Sequence, residues 1–130
     1  MEIAIKTKDI ELTTELRKFI EKKISPLEKF LKFLYNKNKN YLQEKPEIKL
    51  FLEIGKTTKH HKKGEVFFAE GQLEFPGGIL YSTSTAKDIK LAIIETREEL
   101  ERQIKKYKEK YKSKIEKDRK IKEKIKEAEI

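Results

Sequence analysis

Apolar residues recur at two different periods along this chain of 130 residues. Four segments alternate apolar and polar positions with a period of two, which is typical of strands that bury one face. They are Glu2–Thr7, Ile48–Ile54, Glu65–Phe75 and Ile79–Thr85. The last two flank Pro76-Gly77-Gly78, a tight turn in which glycine supplies the positive φ, so we predict that they pair as a hairpin.

Two further segments carry apolar residues at helical spacing. The first runs from Leu12 to Leu34, with Thr13 as its predicted N-cap. Pro26 removes one backbone donor from it, so a kink or a break is expected near Ser25. The second helix is predicted to begin within 86–88. Its apolar stripe comprises Ile89, Ile93, Leu100, Ile104, Tyr107, Tyr111 and Ile115.

The resulting order of elements is β-α-β-β-β-α. It predicts an α+β fold, a four-stranded sheet with two helices packed side by side on one face. A chain of 130 residues suits one domain. We expect a domain over residues 1–112, followed by a charged helical extension or tail over residues 113–130.

The charged residues change this picture because of where they lie. Lys and Arg number 32 against 23 Asp and Glu, a net charge of +9. A charged C-terminal run is usually a solvated helix or a frayed tail. Each predicted helix, however, also has a basic side opposite its apolar stripe. These sides hold Lys18, Lys22, Lys29 and Lys32 on the first helix, and Arg102, Lys105, Lys106 and Lys112 on the second. Two such helices, with basic faces outward and adjacent, would form a rigid cationic surface that suits RNA.

Other classes of site find little support in the sequence. There is no Cys, which excludes disulfides, thiolate zinc sites and thiol nucleophiles. No Walker loop, dinucleotide fingerprint or Ser/His/Asp order is present, so we expect neither an enzyme nor a cofactor. His60 and His61 are adjacent in a lysine-rich turn without a third ligand nearby, so we expect no metal. No signal peptide or membrane span is visible, and a cytoplasmic location is expected.

Three features have both a functional and a structural interpretation. Tyr107 and Tyr111 could stack on bases, but their place on the apolar stripe favours packing. Lysines beside the two histidines could contact RNA, but a solvated turn is favoured; they are Lys59, Lys62 and Lys63. Hairpin geometry explains Pro76-Gly77-Gly78 better than a phosphate cradle does, since no helix N-terminus follows it directly.

Several stretches together resemble one known family. Phe75–Tyr81 followed by Asp88–Ile93 resembles the hairpin-to-helix segment of the ribosome hibernation promoting factors, also called the ribosome-associated inhibitor or sigma-54 modulation family. Leu100–Ile104, with Lys106 and Lys108, is similar to their second helix. Similarity to their first helix is carried by Glu11–Thr13, Leu16-Arg17, Glu21–Lys23 and Leu27–Lys29. The resemblance covers about residues 1 to 112, and the family's β-α-β-β-β-α order agrees with the periodicity.

The resemblance implies a protein that binds the small ribosomal subunit between head and body, where mRNA and tRNA would lie, and silences translation under stress. It implies the short form of the family, which needs another factor to pair ribosomes. Added to the basic stripes, it gives as candidate RNA-binding residues Lys18, Lys22, Lys23, Lys29, Arg102, Lys105, Lys106, Lys108 and Lys110. The chain departs from the family in Pro26 and Glu99, which stand where basic residues are common, and in a long Phe33–Glu47 connection.

Two other functions stay open at this point. One is a general double-stranded RNA-binding protein, since that class also packs two helices on a sheet. The other is a structural protein in which Leu100–Ile130 forms a coiled coil, although its apolar positions do not hold a strict heptad. We expect a monomer away from the ribosome, with no membrane or small-molecule partner.

Overall fold

A computed structural model describes residues 1–35, 46–57 and 64–129 of the chain. The predicted loop from Asn36 to Pro46 falls almost wholly outside the described residues. So do His60, His61 and the lysines beside them.

Four strands form one sheet in the order β1-β2-β3-β4. They are β1 (Glu2–Lys8), β2 (Lys49–Lys56), β3 (Phe67–Phe75) and β4 (Gly78–Ala86). The two outer pairs differ, because β1 runs parallel to β2 while β3 and β4 form an antiparallel hairpin. All four predicted strands are confirmed, with bounds that shift by up to two residues. Gly77, at the hairpin turn, has the predicted positive φ, 94°.

The first predicted helix is broken in two. Helix α1 (Thr14–Ile24) begins at the predicted cap, where the Thr13 hydroxyl accepts a hydrogen bond from the Leu16 amide at 3.1 Å. A short helix α2 (Leu27–Phe30) follows, with Pro26 as its N-cap, and a 3₁₀ turn covers Lys32–Leu34. Proline can begin a helix but cannot continue one, so the chain breaks where Pro26 removes the amide donor. The apolar side is unbroken, since Ile24, Leu27 and Leu31 are all buried.

The second predicted helix is α3 (Ile89–Ala128), which is capped at Asp88 and packs closely on β3. The Thr96 hydroxyl donates a hydrogen bond to the buried carbonyl of Ala69 at 3.1 Å. Gly71 lies beneath Leu100, so that a Cβ at Gly71 would stand only 3.0 Å from the Leu100 Cδ1 atom. These contacts fix both the distance of α3 from the sheet and its rotation about its own axis.

Two tyrosines of α3 pack against other aromatic rings. The Tyr107 ring packs edge-on against Phe75 with centroids 5.0 Å apart, and its hydroxyl donates to the Gly77 carbonyl at 3.1 Å. The Tyr111 ring lies 5.4 Å from that of Phe33. The structural interpretation of both tyrosines is therefore confirmed.

Ile115, the last residue of the predicted apolar stripe of α3, does not pack against the core. Ile115 is 51% exposed, and Ile121 and Ile125 are exposed to a similar degree. The reason is that no other described element packs against α3 beyond Tyr111, so the helix continues into solvent as far as Ala128.

Candidate nucleic-acid interface

The two helical segments lie side by side on the same face of the sheet. Contacts along them follow the same order, so they run in the same direction. Lys90 at the start of α3 lies over Phe19 of α1, Lys105 lies over Phe30 of α2, and Tyr111 packs on Phe33. The helix layer is thus one continuous surface on the side of the molecule opposite the open sheet face.

Lysines and aromatic rings alternate where the two helical segments meet. The Phe19 ring has two ammonium groups near it, Lys23 Nζ at 5.9 Å and Lys90 Nζ at 5.3 Å from its centroid. The Phe30 ring has Lys105 Nζ at 5.1 Å. Lysines in this geometry are attracted by the negative face of the ring, and Lys105 Nζ also lies 3.7 Å from Glu101 Oε1 of its own helix. We call this line the interhelical seam; it comprises Phe19, Lys23, Phe30, Lys90 and Lys105.

Two more cations of α3 lie on the edge that borders the seam. Lys108 follows Lys90 by eighteen residues, five whole helical turns, and Arg97 follows it by seven, so all three point to the same side. Both Lys108 and Arg97 are half-buried. The Arg97 Nε atom is buried and has no hydrogen-bond partner among the described residues, while its Nη2 atom lies 3.9 Å from Glu98.

The cations predicted on α1 and α2 take two positions relative to the seam. Lys23 lies in it, half-buried, whereas Lys18 and Lys22 are exposed one turn apart on the outer side of α1. Lys29 is exposed on α2, beyond the break at Pro26. The α1–α2 strip therefore presents its cations toward solvent and toward α3.

The predicted basic stripe of α3 is divided. Lys105 and Lys108 face the seam, but Gln103 lies on the opposite edge, where its side-chain amide donates to the Tyr81 carbonyl of β4 at 2.9 Å. Lys106 and Lys110 follow Gln103 by three and seven residues, so they extend from that edge and point away from α1. The expectation that the basic faces of both helices adjoin therefore holds for only part of the candidate set.

Arg102 is held by a carboxylate of its own helix. Its Nε atom donates to Glu99 Oε2 at 2.9 Å and its Nη2 atom donates to Glu99 Oε1, while Gln103 donates to the same Oε1 at 3.1 Å. The hydrogen bonds from Arg102 and then Gln103 lower the pKa of Glu99 to about 2, and those to Glu99 raise the pKa of Arg102. The pair stays charged at neutral pH, so a phosphate that approaches the Nε and Nη2 donors of Arg102 must compete with Glu99 for them.

Charge is distributed unequally between the two faces of the molecule. The helical segment 14–34 carries six Lys and Arg against three Glu. The outward positions of the sheet carry three lysines and four glutamates: Lys6, Lys8, Lys49, Glu2, Glu53, Glu70 and Glu74. A polyanion is therefore attracted to the helix layer and is not attracted to the open sheet face.

Comparison with known proteins agrees with this architecture. The sequence profile of the family described as "Sigma 54 modulation protein / S30EA ribosomal protein" matches residues 3–112. The chain belongs to this family. A curated family relative, the "Ribosome hibernation promotion factor" of Deinococcus radiodurans, is 26% identical over 101 residues, which are 78% of this chain and 46% of the relative. The chain thus spans about half the length of the curated relative that it matches.

Two solved structures share the fold of this family member. One is the N-terminal domain of Protein Y from Thermus thermophilus, with a TM-score of 0.61 and 22% identity over 82% of this chain and 99% of that one. The other is a ribosomal subunit interface protein from Coxiella burnetii, with a TM-score of 0.59 and 16% identity over 83% of this chain and 98% of that one. The α+β architecture predicted from the order of elements is confirmed.

The end of α3 lies beyond the residues that match the family. Its side chains from Ser113 to Ala128 are exposed, and cations alternate there with carboxylates such as Glu116, which lies within 4.0 Å of Arg119 and Lys120. None of the described helices combines the length and apolar character that crossing a bilayer would need. Nor do the described parts of the chain bring three metal-ligating side chains together.

Sequence reasoning missed Lys90 and Arg97 because it searched for cations directly opposite the apolar stripe. Both residues lie at the margin of that stripe, where a cation borders a neighbouring helix and is partly covered. The spacing of Lys90, Arg97, Lys105 and Lys108 along one helix edge is a signal that could have revealed them.

Proposed function

We propose that the chain binds rRNA of the small ribosomal subunit through its helix layer, in the channel that mRNA and tRNA use. By occupying that channel it inhibits translation and stabilises inactive ribosomes under stress. The protein acts in the cytoplasm, as a monomer away from the ribosome, without chemistry and without a cofactor. Membership of a family of ribosome hibernation and subunit interface proteins supports this proposal.

The observation that carries the proposal is the interhelical seam. Lys90 and Lys105 of α3, and Lys23 of α1, are packed over aromatic rings, which reduces the number of positions that each ammonium group samples. A rigid line of cations binds folded RNA by the spacing of its phosphates and needs no sequence readout. Each lysine set against a phosphate releases counterions, so the affinity depends steeply on salt.

The candidate residues then fall into three groups. Seam cations, with Lys108, contact the phosphates nearest the midline of the layer. Lys18, Lys22 and Lys29 contact the RNA on the α1 side. Lys106 and Lys110 contact it on the β4 side, together with Arg102 once Glu99 has been displaced. The exposed residues 113–129 of the basic extension add a less specific attraction.

The test is co-sedimentation of the full chain with purified small subunits over a range of salt concentrations. The seam variant replaces Lys23, Lys90 and Lys105 with Gln. Three lost phosphate contacts reduce the slope of log affinity against log salt by about 2 to 3. The matched control replaces Lys6, Lys8 and Lys49 of the open sheet face with Gln, which removes the same charge and leaves the slope unchanged.

Equal slopes for the seam and control variants would contradict the proposed interface, because net charge alone would then explain binding. A competition experiment addresses the RNA class. Preference for a bare RNA duplex over small subunits would instead favour a general double-stranded RNA-binding protein. Displacement of initiator tRNA and mRNA from the subunit by the wild-type chain is the expected sign of inhibition.

A further inference from the structure

The sheet face that points away from the helices is uncovered and contains one distinct row of side chains. Strand register aligns Ala4, Phe51, Gln72 and Tyr81 across all four strands. Phe51 is 45% exposed and Tyr81 is 52% exposed. Two aromatic rings are therefore displayed on a sheet face that no described element covers.

A cavity of about 240 Å³ opens beside this row. Phe51 and Tyr81 contribute its aromatic lining, and Ala4, with its short side chain, leaves room at the β1 side. Gln72 lies between the rings, and the lining also includes Lys6, Glu53 and Glu70. The cavity is thus part aromatic and part acidic.

Two of the lining carboxylates stand opposite one another. Glu53 of β2 and Glu70 of β3 are directly paired in the antiparallel register, and neither forms an ion pair with any described residue. Like charges placed opposite each other on adjacent strands destabilise a sheet. Lys6 adjoins Glu53 on its other side, which leaves the charge of Glu70 uncompensated. A cationic ligand bound beside the two carboxylates would reduce their mutual repulsion.

We propose that this cavity binds the arginine side chain of an extended basic segment of a partner polypeptide. A guanidinium group is planar, so it can stack on Phe51 or Tyr81 while it donates two parallel hydrogen bonds to Glu70 or Glu53. A lysine ammonium is compact and strongly hydrated, and it gains less from an aromatic wall beside a carboxylate. RNA is disfavoured because the carboxylates repel its phosphates.

The kind of partner follows from the opposite face of the molecule. A protein whose helix layer faces a polyanion meets other proteins bound to the same polyanion, and these carry basic segments because such segments neutralise phosphates. The open sheet face can receive one of them while the helix layer stays occupied. The choice of partner rests on the proposed function, whereas the binding of an arginine side chain by the cavity can be measured without RNA.

The test is NMR titration of the isotopically labelled full chain with three capped peptides that differ in one residue. They have the form Gly-Ser-X-Ser-Gly, where X is Arg, Lys or Gln. We expect the Arg peptide to cause saturable shift changes at Phe51, Glu70 and Tyr81, with at least threefold weaker effects of the Lys peptide and none of the Gln peptide. Glu70→Gln is expected to weaken binding of the Arg peptide about fivefold.

The matched control is Glu2→Gln, which removes the same charge from the same sheet face but outside the cavity. It should leave the affinity for the Arg peptide within a factor of two. Equal effects of the Arg and Lys peptides, equal losses in Glu70→Gln and Glu2→Gln, or no saturable shift at these residues would each overturn the proposal. So would shift changes at the same residues caused by oligo(U) at comparable concentration, because the face would then bind RNA.

Discussion

Releasing Arg102 from Glu99 should strengthen the proposed binding of rRNA. Glu99→Gln keeps the size of the side chain and its possible hydrogen bond to Gln103, but it removes the charge that holds the guanidinium group. Arg102 is exposed on the outer side of α3, so its Nε and Nη2 donors then become available for bidentate contact with a phosphate. We therefore expect Glu99→Gln to bind small subunits more tightly than the wild-type chain.

The expected size of the effect follows from counterion release. One additional phosphate contact makes the slope of log affinity against log salt steeper by about 0.7 to 0.9. Between 50 and 200 mM salt, a fourfold range, the advantage of Glu99→Gln over the wild-type chain should fall by about threefold. The measurement is the dissociation constant for fluorescently labelled protein and small subunits at five or more salt concentrations.

Glu95→Gln is the control for the change in net charge. Glu95 lies one turn before Glu99 on the same side of α3, and it forms no ion pair with the described residues. If both variants bind small subunits more tightly by the same factor, reduced repulsion explains the increase in affinity. The argument about Arg102 then fails. The argument about Arg102 is also refuted if Glu99→Gln still increases the affinity for small subunits when it is combined with Arg102→Gln.

Four further outcomes follow from the packing and the charges. Leu100→Ala, in the contact between α3 and Gly71, should lower the free energy of unfolding by about 2–5 kcal/mol in urea titrations. Gly77→Ala should lower it by about 1–3 kcal/mol, because Gly77 has a φ of 94°. Ile121→Asp combined with Ile125→Asp should change neither the melting temperature nor the sedimenting mass, whereas a coiled coil would dissociate. The pKa of Glu99 is depressed to about 2, so its pairing stabilises the fold above the ordinary pKa of 4.5. Glu99→Gln should therefore melt at a lower temperature than the wild-type chain at pH 7. This difference in melting temperature should shrink as pH falls from 4.5 toward 2, and it should decrease with salt.

Most of the fold could be predicted because local pattern and tertiary packing agree. Strands β2 and β3 alternate cleanly, since one face is buried and the other is open, and the turn at Gly77 requires a residue that tolerates positive φ. Pro26 marked the break in the first helix. Periodicity alone does not show where the packing of α3 ends, because it continues in Ile115 and later residues. The charged composition of residues 113–130 is what led us to expect the end of the domain near residue 112.

The interface was harder to predict than the fold. Helical periodicity placed Arg102, Lys105 and Lys106 on the side away from the core, but it could not tell which edge of that side borders α1. Steps of roughly 100° per residue separate Lys105 from Lys106 by more than a quarter turn, and the neighbouring helix distinguishes them. The pairing of Arg102 with Glu99 could not be predicted from the sequence either, because a glutamate three residues from an arginine is common on any solvated helix.

The rotation of α3 connects the core of the protein to its candidate interface. Thr96 is tied to the Ala69 carbonyl and Leu100 fits over Gly71, so α3 cannot turn about its axis without losing a buried hydrogen bond and opening a cavity. Lys90 and Lys105 point at the seam because these inward contacts fix the helix. A change that rotated α3 by one residue would bring Leu100 toward solvent and carry the seam lysines away from Phe19 and Phe30. Packing on β3 therefore determines which cations of α3 lie beside α1. Buried residues that cannot contact RNA, Thr96 and Leu100, keep the candidate interface rigid.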